Sequence, residues 1–183
     1  MNGDAKLSQQ TLEMEDAGYG VVDITSGLYG MQREIRTWAG LNIDASVYRK
    51  VDVRADFTKL PLKPECFETV LFDPPHTIDT RNTLLGTMIP NGGLGPHLAS
   101  YKYGCYRSID QLSTALIEGS REAYRILKPR GTMIFKWSES EKPFSWAHDR
   151  VRKPGFDNYN LKLANSRAHT GNRVMYTWYR KLP

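Results

Sequence analysis

Thr69-Val70-Leu71-Phe72-Asp73-Pro74-Pro75-His76 is an unbroken apolar run that halts at an acid and two prolines. A strand buried on both faces reads as continuous hydrophobic residues, and prolines cannot continue a central strand. The run therefore predicts a central strand of a largely parallel sheet, with Asp73 at its carboxyl end. Three short runs upstream have the same form. Gly20-Val21-Val22-Asp23-Ile24 leads into the turn Thr25-Ser26-Gly27, Leu41-Asn42-Ile43 ends on Asp44, and Val51 and Val53 lead through Arg54-Ala55 to Asp56.

The connecting segments carry helical spacing. Leu28 to Ala39 predicts a helix on Met31, Ile35 and Trp38, with Gly40 as its C-cap. Leu112, Ala115, Leu116, Gly119, Ala123, Ile126 and Leu127 repeat at three- and four-residue steps, the strongest helical pattern in the chain. Ser108 and Gln111 stand before it as a capping box. Lys128-Pro129-Arg130-Gly131 predicts its end, and Thr132 to Trp137 the next strand. Further on, Phe144 to Val151 predicts a helix, and residues near Asn160–Leu163 and Val174–Arg180 two strands. The sum is an α/β chain with a doubly wound, mostly parallel seven-stranded sheet in a three-layer α/β/α sandwich.

At 183 residues and 40% hydrophobic content, one compact domain over 1–183 accounts for the chain. No apolar run reaches the ~18–20 residues that cross a bilayer, and the polar start lacks a secretory core, so a cytoplasmic protein is expected. Cys66 and Cys105 match no metal-ligand spacing, so no metal is expected. The formal charge of +5 favours polyanionic partners, because Lys and Arg displace counterions from phosphates. From about 77 to 107 the chain is rich in Gly, Asn, Thr and Tyr without periodicity. A loop of that length is most often functional, and this one follows Asp73-Pro74-Pro75-His76 directly.

An ordered set of acids at strand ends is what a nucleoside cofactor needs. It requires a close backbone approach at a glycine turn, a carboxylate for ribose hydroxyls, and an acceptor for the adenine amine. Asp23 with Gly27, then Asp44, then Asp56 supply these in the order a doubly wound sheet presents them.

With these residues in hand, the chain resembles the class I S-adenosylmethionine (SAM)-dependent methyltransferases, from about Gly20 to Lys181. Asp23-Ile24-Thr25-Ser26-Gly27 resembles their first motif with Thr25 for its first glycine. The positions of Asp44 and of Asp56-Phe57 are similar to those of the ribose- and adenine-contacting residues. Asp73-Pro74-Pro75-His76 resembles the (D/N/S)-P-P-(Y/F/W) motif of amino-directed enzymes, with His76 for the aromatic. Lys136-Trp137 and His169-Thr170-Gly171 resemble features of small methyltransferase-like proteins of phages and prokaryotes.

The resemblance implies SAM as cofactor, held by Asp23, Thr25, Gly27, Asp44, Asp56 and Phe57. It implies transfer of methyl to an exocyclic amine, adenine N6 or cytosine N4 in DNA. Asp73 and Pro74 would accept the amine N–H bonds, Pro75 would stiffen the backbone, and His76 would stack on the base. Tyr103, Lys136, Trp137 and His169 are the further substrate-contact candidates. An RNA base methyltransferase is the first alternative within enzymes, and a small-molecule methyltransferase is another, because the fold hosts many substrates. Thr25 and Leu28 stand where small residues are common in the first motif, which supports a further alternative. That is a non-catalytic protein of the same fold, binding nucleic acid or a partner subunit; a homodimer is the other assembly considered.

Overall fold

The computed structural model describes residues 20–27, 30–45, 50–78, 106–152, 154–167 and 172–183. Among these, seven strands form one sheet: β1 (Val21–Asp23), β2 (Leu41–Asp44), β3 (Val53–Arg54), β4 (Phe67–Phe72), β5 (Leu127–Ser138), β6 (Asp157–Arg167) and β7 (Arg173–Arg180). Their spatial order is β3-β2-β1-β4-β5-β7-β6. Neighbours from β3 through β5 pair parallel, whereas β7 runs antiparallel to both β5 and β6. The expected doubly wound, mostly parallel sheet is therefore present.

Strand alternation sorts the core into two faces. Val70, Phe72, Met133, Phe135, Trp137 and Tyr179 point to one face, where α2 (Ile109–Ile126) and α3 (Phe144–Val151) cover them. Leu71, Ile134, Val174 and Tyr176 point to the other, against Met31 of α1 (Gly30–Ile35). Helices on both faces make the three layers.

The strongest predicted helix is α2, whose Leu112, Leu116, Ala123 and Ile126 are fully buried. Each of the larger three contributes ~1.5–3 kcal/mol by leaving water. Gly119 lies on the same stripe because α2 approaches the sheet closely there. A Cβ would stand 2.6 Å from the Phe57 ring and 2.8 Å from that of Phe72. At its start Ser108 Oγ accepts the Gln111 N–H at 3.2 Å. Gln111 Oε1 accepts the N–H of Arg107 rather than that of Ser108, so the box closes one residue early.

Three element ends depart from the sequence expectation. The helix predicted to Ala39 stops at Ile35, because Arg36 turns left-handed at φ 55°. The Thr37 N–H then bonds the Gln32 carbonyl at 3.1 Å, the pattern of a Schellman stop with arginine in the usual glycine place. Gly40 is consequently not the cap; its N–H bonds the Val21 carbonyl and starts β2. Trp38 is 65% exposed instead of packing. The turn expected at Lys128–Gly131 lies inside β5, which pairs Leu127 with Phe67 and resumes at Thr132 with Thr69. The intervening residues bulge, with Arg130 at φ 64°. Finally, β6 spans Asp157–Arg167, longer at both ends than expected. Among the described residues no helix is long and apolar enough to cross a membrane.

Candidate functional site

The order β3-β2-β1-β4 reverses its crossover direction between β1 and β4, and the crevice outside the carboxyl ends there is where open α/β sheets bind ligands. The turn after β1 is tied into both neighbours. Toward β2, the Ser26 N–H bonds the Ile43 carbonyl at 3.0 Å and the Gly27 N–H bonds Asp44 Oδ2 at 2.9 Å. Toward β4, the Ile24 N–H bonds the Leu71 carbonyl at 3.1 Å, and Thr25 Oγ1 accepts the Asp73 N–H at 2.7 Å. Gly27 sits at φ +46°, a conformation that disfavours a side chain. Thr25, which replaces a glycine in the resemblance, thus joins the first turn to the Asp73 segment.

Asp23 is only 1% exposed. Its Oδ1 accepts the Thr25 N–H at 3.0 Å and its Oδ2 the Gln32 amide at 2.8 Å. Burial pushes its pKa up to about 7, against the lowering effect of those two hydrogen bonds; the nearby charges of Asp73 and Asp44 raise it further. Its carboxylate faces inward and shapes the turn, where sequence reading expected a group presented to a cofactor. Gln32, equally buried, was missed by sequence reading, since a glutamine on a short helix carries no signal. Its amide also donates to Asn42 Oδ1 at 2.7 Å, and its Oε1 accepts the Ala39 N–H at 3.0 Å. Asn42 in turn bonds Asp52 Oδ2 through both its backbone and side-chain N–H. The network braces β1, β2 and the approach to β3.

On the other side of the crevice, the Phe72–Phe135 register sets Asp73 beside Lys136 on the next strand. Lys136 Nζ donates to Asp73 Oδ2 at 3.1 Å, with the two side chains 15% and 25% exposed. Pro74 is buried and Pro75 half-buried. The His76 ring stands edge-on to Trp137 at 5.8 Å. Burial is the main cause that holds the His76 pKa below the ordinary value, only partly offset by Asp73. Trp137 itself has no exposed surface, and its Nε1 donates to the Lys142 carbonyl at 2.9 Å. Its ring therefore forms wall behind Lys136 and His76.

Asp56 is exposed beyond β3, its Oδ1 accepting the Thr58 N–H and hydroxyl at 2.8 Å each. Phe57 turns its ring onto Phe72 at 5.4 Å, inside the seam with α2. Tyr106 packs on the same core, and its hydroxyl pKa is raised, chiefly by burial and secondarily by Asp56. The Tyr106 N–H bonds the Thr77 carbonyl at 2.9 Å, and Tyr106 bridges Ile78. A cleft of about 440 Å³ opens beside this bridge, lined by Ile78, Arg107, Ser108, Ile109, Glu141 and Lys142. Leu28, Tyr103, the rest of 79–105, and His169-Thr170-Gly171 lie outside the described residues.

No protein-family model matches the chain, and no curated protein matches it by sequence. Solved structures do match in fold. A SAM-dependent methyltransferase from Thermotoga maritima superposes with TM-score 0.53 at 14% identity, over 97% of this chain and 90% of that one. A SAM-dependent methyltransferase from Methanosarcina mazei gives 0.53 at 10% identity, over 88% and 92%. A 16S rRNA (adenine(1408)-N(1))-methyltransferase from Catenulisporales acidiphilia gives 0.51 at 12%, over 96% and 91%. At these identities the likeness is one of fold: the chain has the Rossmann-like methyltransferase fold.

Proposed function

We propose that the chain is a SAM-dependent methyltransferase acting on an exocyclic amine of a nucleic-acid base, with DNA favoured over RNA. The observation that carries this reading is the Asp73 carboxylate at the crevice mouth, its backbone anchored by Thr25 to the cofactor-side turn. The turn fits SAM on a separate ground. Ser26 Oγ is buried in it without a hydrogen-bond partner among the described residues, and a polar atom buried unsatisfied costs ~1–3 kcal/mol unless something meets it. The Thr25–Gly27 turn, Asp44 and Asp56 are the residues that would hold the cofactor, with Asp23 and Phe57 supporting them from behind. When bound, SAM supplies an electrophilic methyl group whose bond to sulfur breaks with both electrons passing to the sulfur.

An exocyclic amine is a weak nucleophile because its lone pair is delocalised into the ring. Asp73 accepts one of its N–H bonds and takes the surplus proton the nitrogen carries once methylated. The Pro74 carbonyl accepts the second N–H. Holding both hydrogens draws the nitrogen toward tetrahedral geometry and aims its lone pair. Two prolines keep that carbonyl in place, a dipole set before the reaction begins. His76, neutral at pH 7 because burial lowers its pKa, offers a ring face to the base. The cleft at Arg107 and Lys142 is the approach for the polymer, and the +5 charge assists it.

A non-catalytic member of the fold is the second reading. The Lys136–Asp73 ion pair favours it, because it engages the carboxylate with an internal cation. An RNA base is a further substrate alternative; the Catenulisporales acidiphilia protein of similar fold is named for an adenine of 16S rRNA. Calorimetric titration with SAM, followed by tritiated-methyl transfer to duplex DNA, single-stranded DNA and total RNA, separates these. Binding with transfer to DNA is expected. Binding with transfer to RNA alone moves the substrate class, and absence of SAM binding leaves the non-catalytic reading.

A further inference from the structure

Resting on the reading of an amine acceptor, we infer that Lys136 determines which bases the site accepts, by donating to the ring nitrogen beside the reacting amine. Asp73 Oδ2 and Lys136 Nζ stand 3.1 Å apart on adjacent strands, both part-exposed at the same crevice. Together they form an acceptor next to a donor. Adenine and cytosine present the complementary pair on one edge, an amine N–H next to an unprotonated ring nitrogen. The Watson–Crick edges of guanine, thymine and uracil reverse it, with a carbonyl oxygen next to a ring N–H. That arrangement would set the carbonyl against a carboxylate and the ring N–H against an ammonium.

The ammonium carries three N–H donors, so its pairing with Asp73 does not by itself exclude a bond to a base. Its position follows from strand alternation. Lys136 shares a face of β5 with Ile134, as Asp73 extends the face of Leu71, so both point to the α1 side of the crevice. The neighbouring residues of opposite parity, Phe135 and Trp137, are fully buried on the other side. A cation at this point does not strengthen the nucleophile, because polarising the ring nitrogen withdraws density from the amine. Its contribution is to fix which edge of a base enters, and it makes Lys136 a specificity-determining residue.

The test compares oligonucleotides carrying the accepted base with ones carrying the same base in which carbon replaces the ring nitrogen beside the amine. Tritiated-methyl transfer is measured for the unaltered protein, Lys136→Met and Lys136→Arg. For the unaltered protein, kcat/KM is expected to fall about 10- to 100-fold on the analogue, the worth of one hydrogen bond from a charged donor. In Lys136→Met the two oligonucleotides should react at nearly equal rates, and Lys136→Arg should restore part of the difference. Equal rates with the unaltered protein would overturn the inference while amine methylation stands. A difference that persists undiminished in Lys136→Met would also overturn it, placing the donor elsewhere. Failure to methylate any adenine or cytosine amine would overturn both readings together.

Discussion

β1 and β4 are adjacent parallel strands; β1 ends on Asp23 and Asp73 follows the last residue of β4, yet the two aspartates have opposite characters. Asp23 is 1% exposed, accepts hydrogen bonds from two neutral amide groups, and has its pKa pushed up to about 7 by burial. Asp73 lies open to the crevice and faces an ammonium from β5. The first carboxyl braces a turn, and the second is the one that the proposed reading assigns to chemistry. Burial and partner, not residue type or place on the strand, separate a structural acid from a chemical one.

Substitutions can break or sharpen that contrast. Asp73→Ala is expected to give the largest effect, cutting methyl transfer by roughly 10²–10³-fold, the range for removing one preorganised charge-stabilising group. SAM affinity measured on the same sample by calorimetry should change little. Full retention of activity would erase the distinction between the two acids.

Asp23 supplies the next test, through pH. Its pKa is raised in the folded chain, so the native state keeps a proton that the unfolded chain has already lost. Stability from this group is therefore present below the unfolded value of 3.8 and declines as pH rises toward about 7. Asp23→Asn should gain stability relative to the unaltered protein between pH 4 and pH 8, by up to a few kcal/mol in urea unfolding. The difference between the two proteins isolates Asp23 from His76, whose lowered pKa acts in the opposite direction. A pH-independent difference would mean that the Asp23 carboxyl titrates normally.

Gln32→Ala removes one of the two donors to Asp23 and should cost about 1–3 kcal/mol in the same unfolding experiment. Activity at saturating SAM should be retained, because the residue acts on the turn and touches no substrate. Asp56→Ala should have the smallest effect on stability, under about 1 kcal/mol, since Asp56 is exposed and holds only its own turn. A drop in SAM affinity on titration would assign it to the cofactor despite that.

The contrast between the two aspartates also marks where sequence reading stops. Strand-end acids and the α2 stripe are legible because they follow from periodicities of two and about 3.6 residues. Asp23 and Asp73 look alike in that code, since both close a short apolar run. What distinguishes them is Gln32 on one side and Lys136 on the other, residues 9 and 63 positions away that meet them only in the folded sheet. The end of α1 was illegible for a related reason. Arg36 adopts the left-handed turn that glycine usually marks, so the sequence places the stop at Gly40, four residues late. For Trp137 the sequence leaves a structural role and substrate contact both open, and the fold buries it because alternation from Lys136, which faces the crevice, sends the next side chain into the core.

The bridge between Ile78 and Tyr106 has an evolutionary consequence. It brings residue 78 and residue 106 together at the sheet, so the chain leaves and returns at one place. Lengthening a closed loop is cheap, about 0.6 kcal/mol for each doubling. Insertions there leave the β4–α2 frame and the Asp73 segment untouched. The bridge therefore leaves the chain length between residues 78 and 106 open to change at little cost to the sheet.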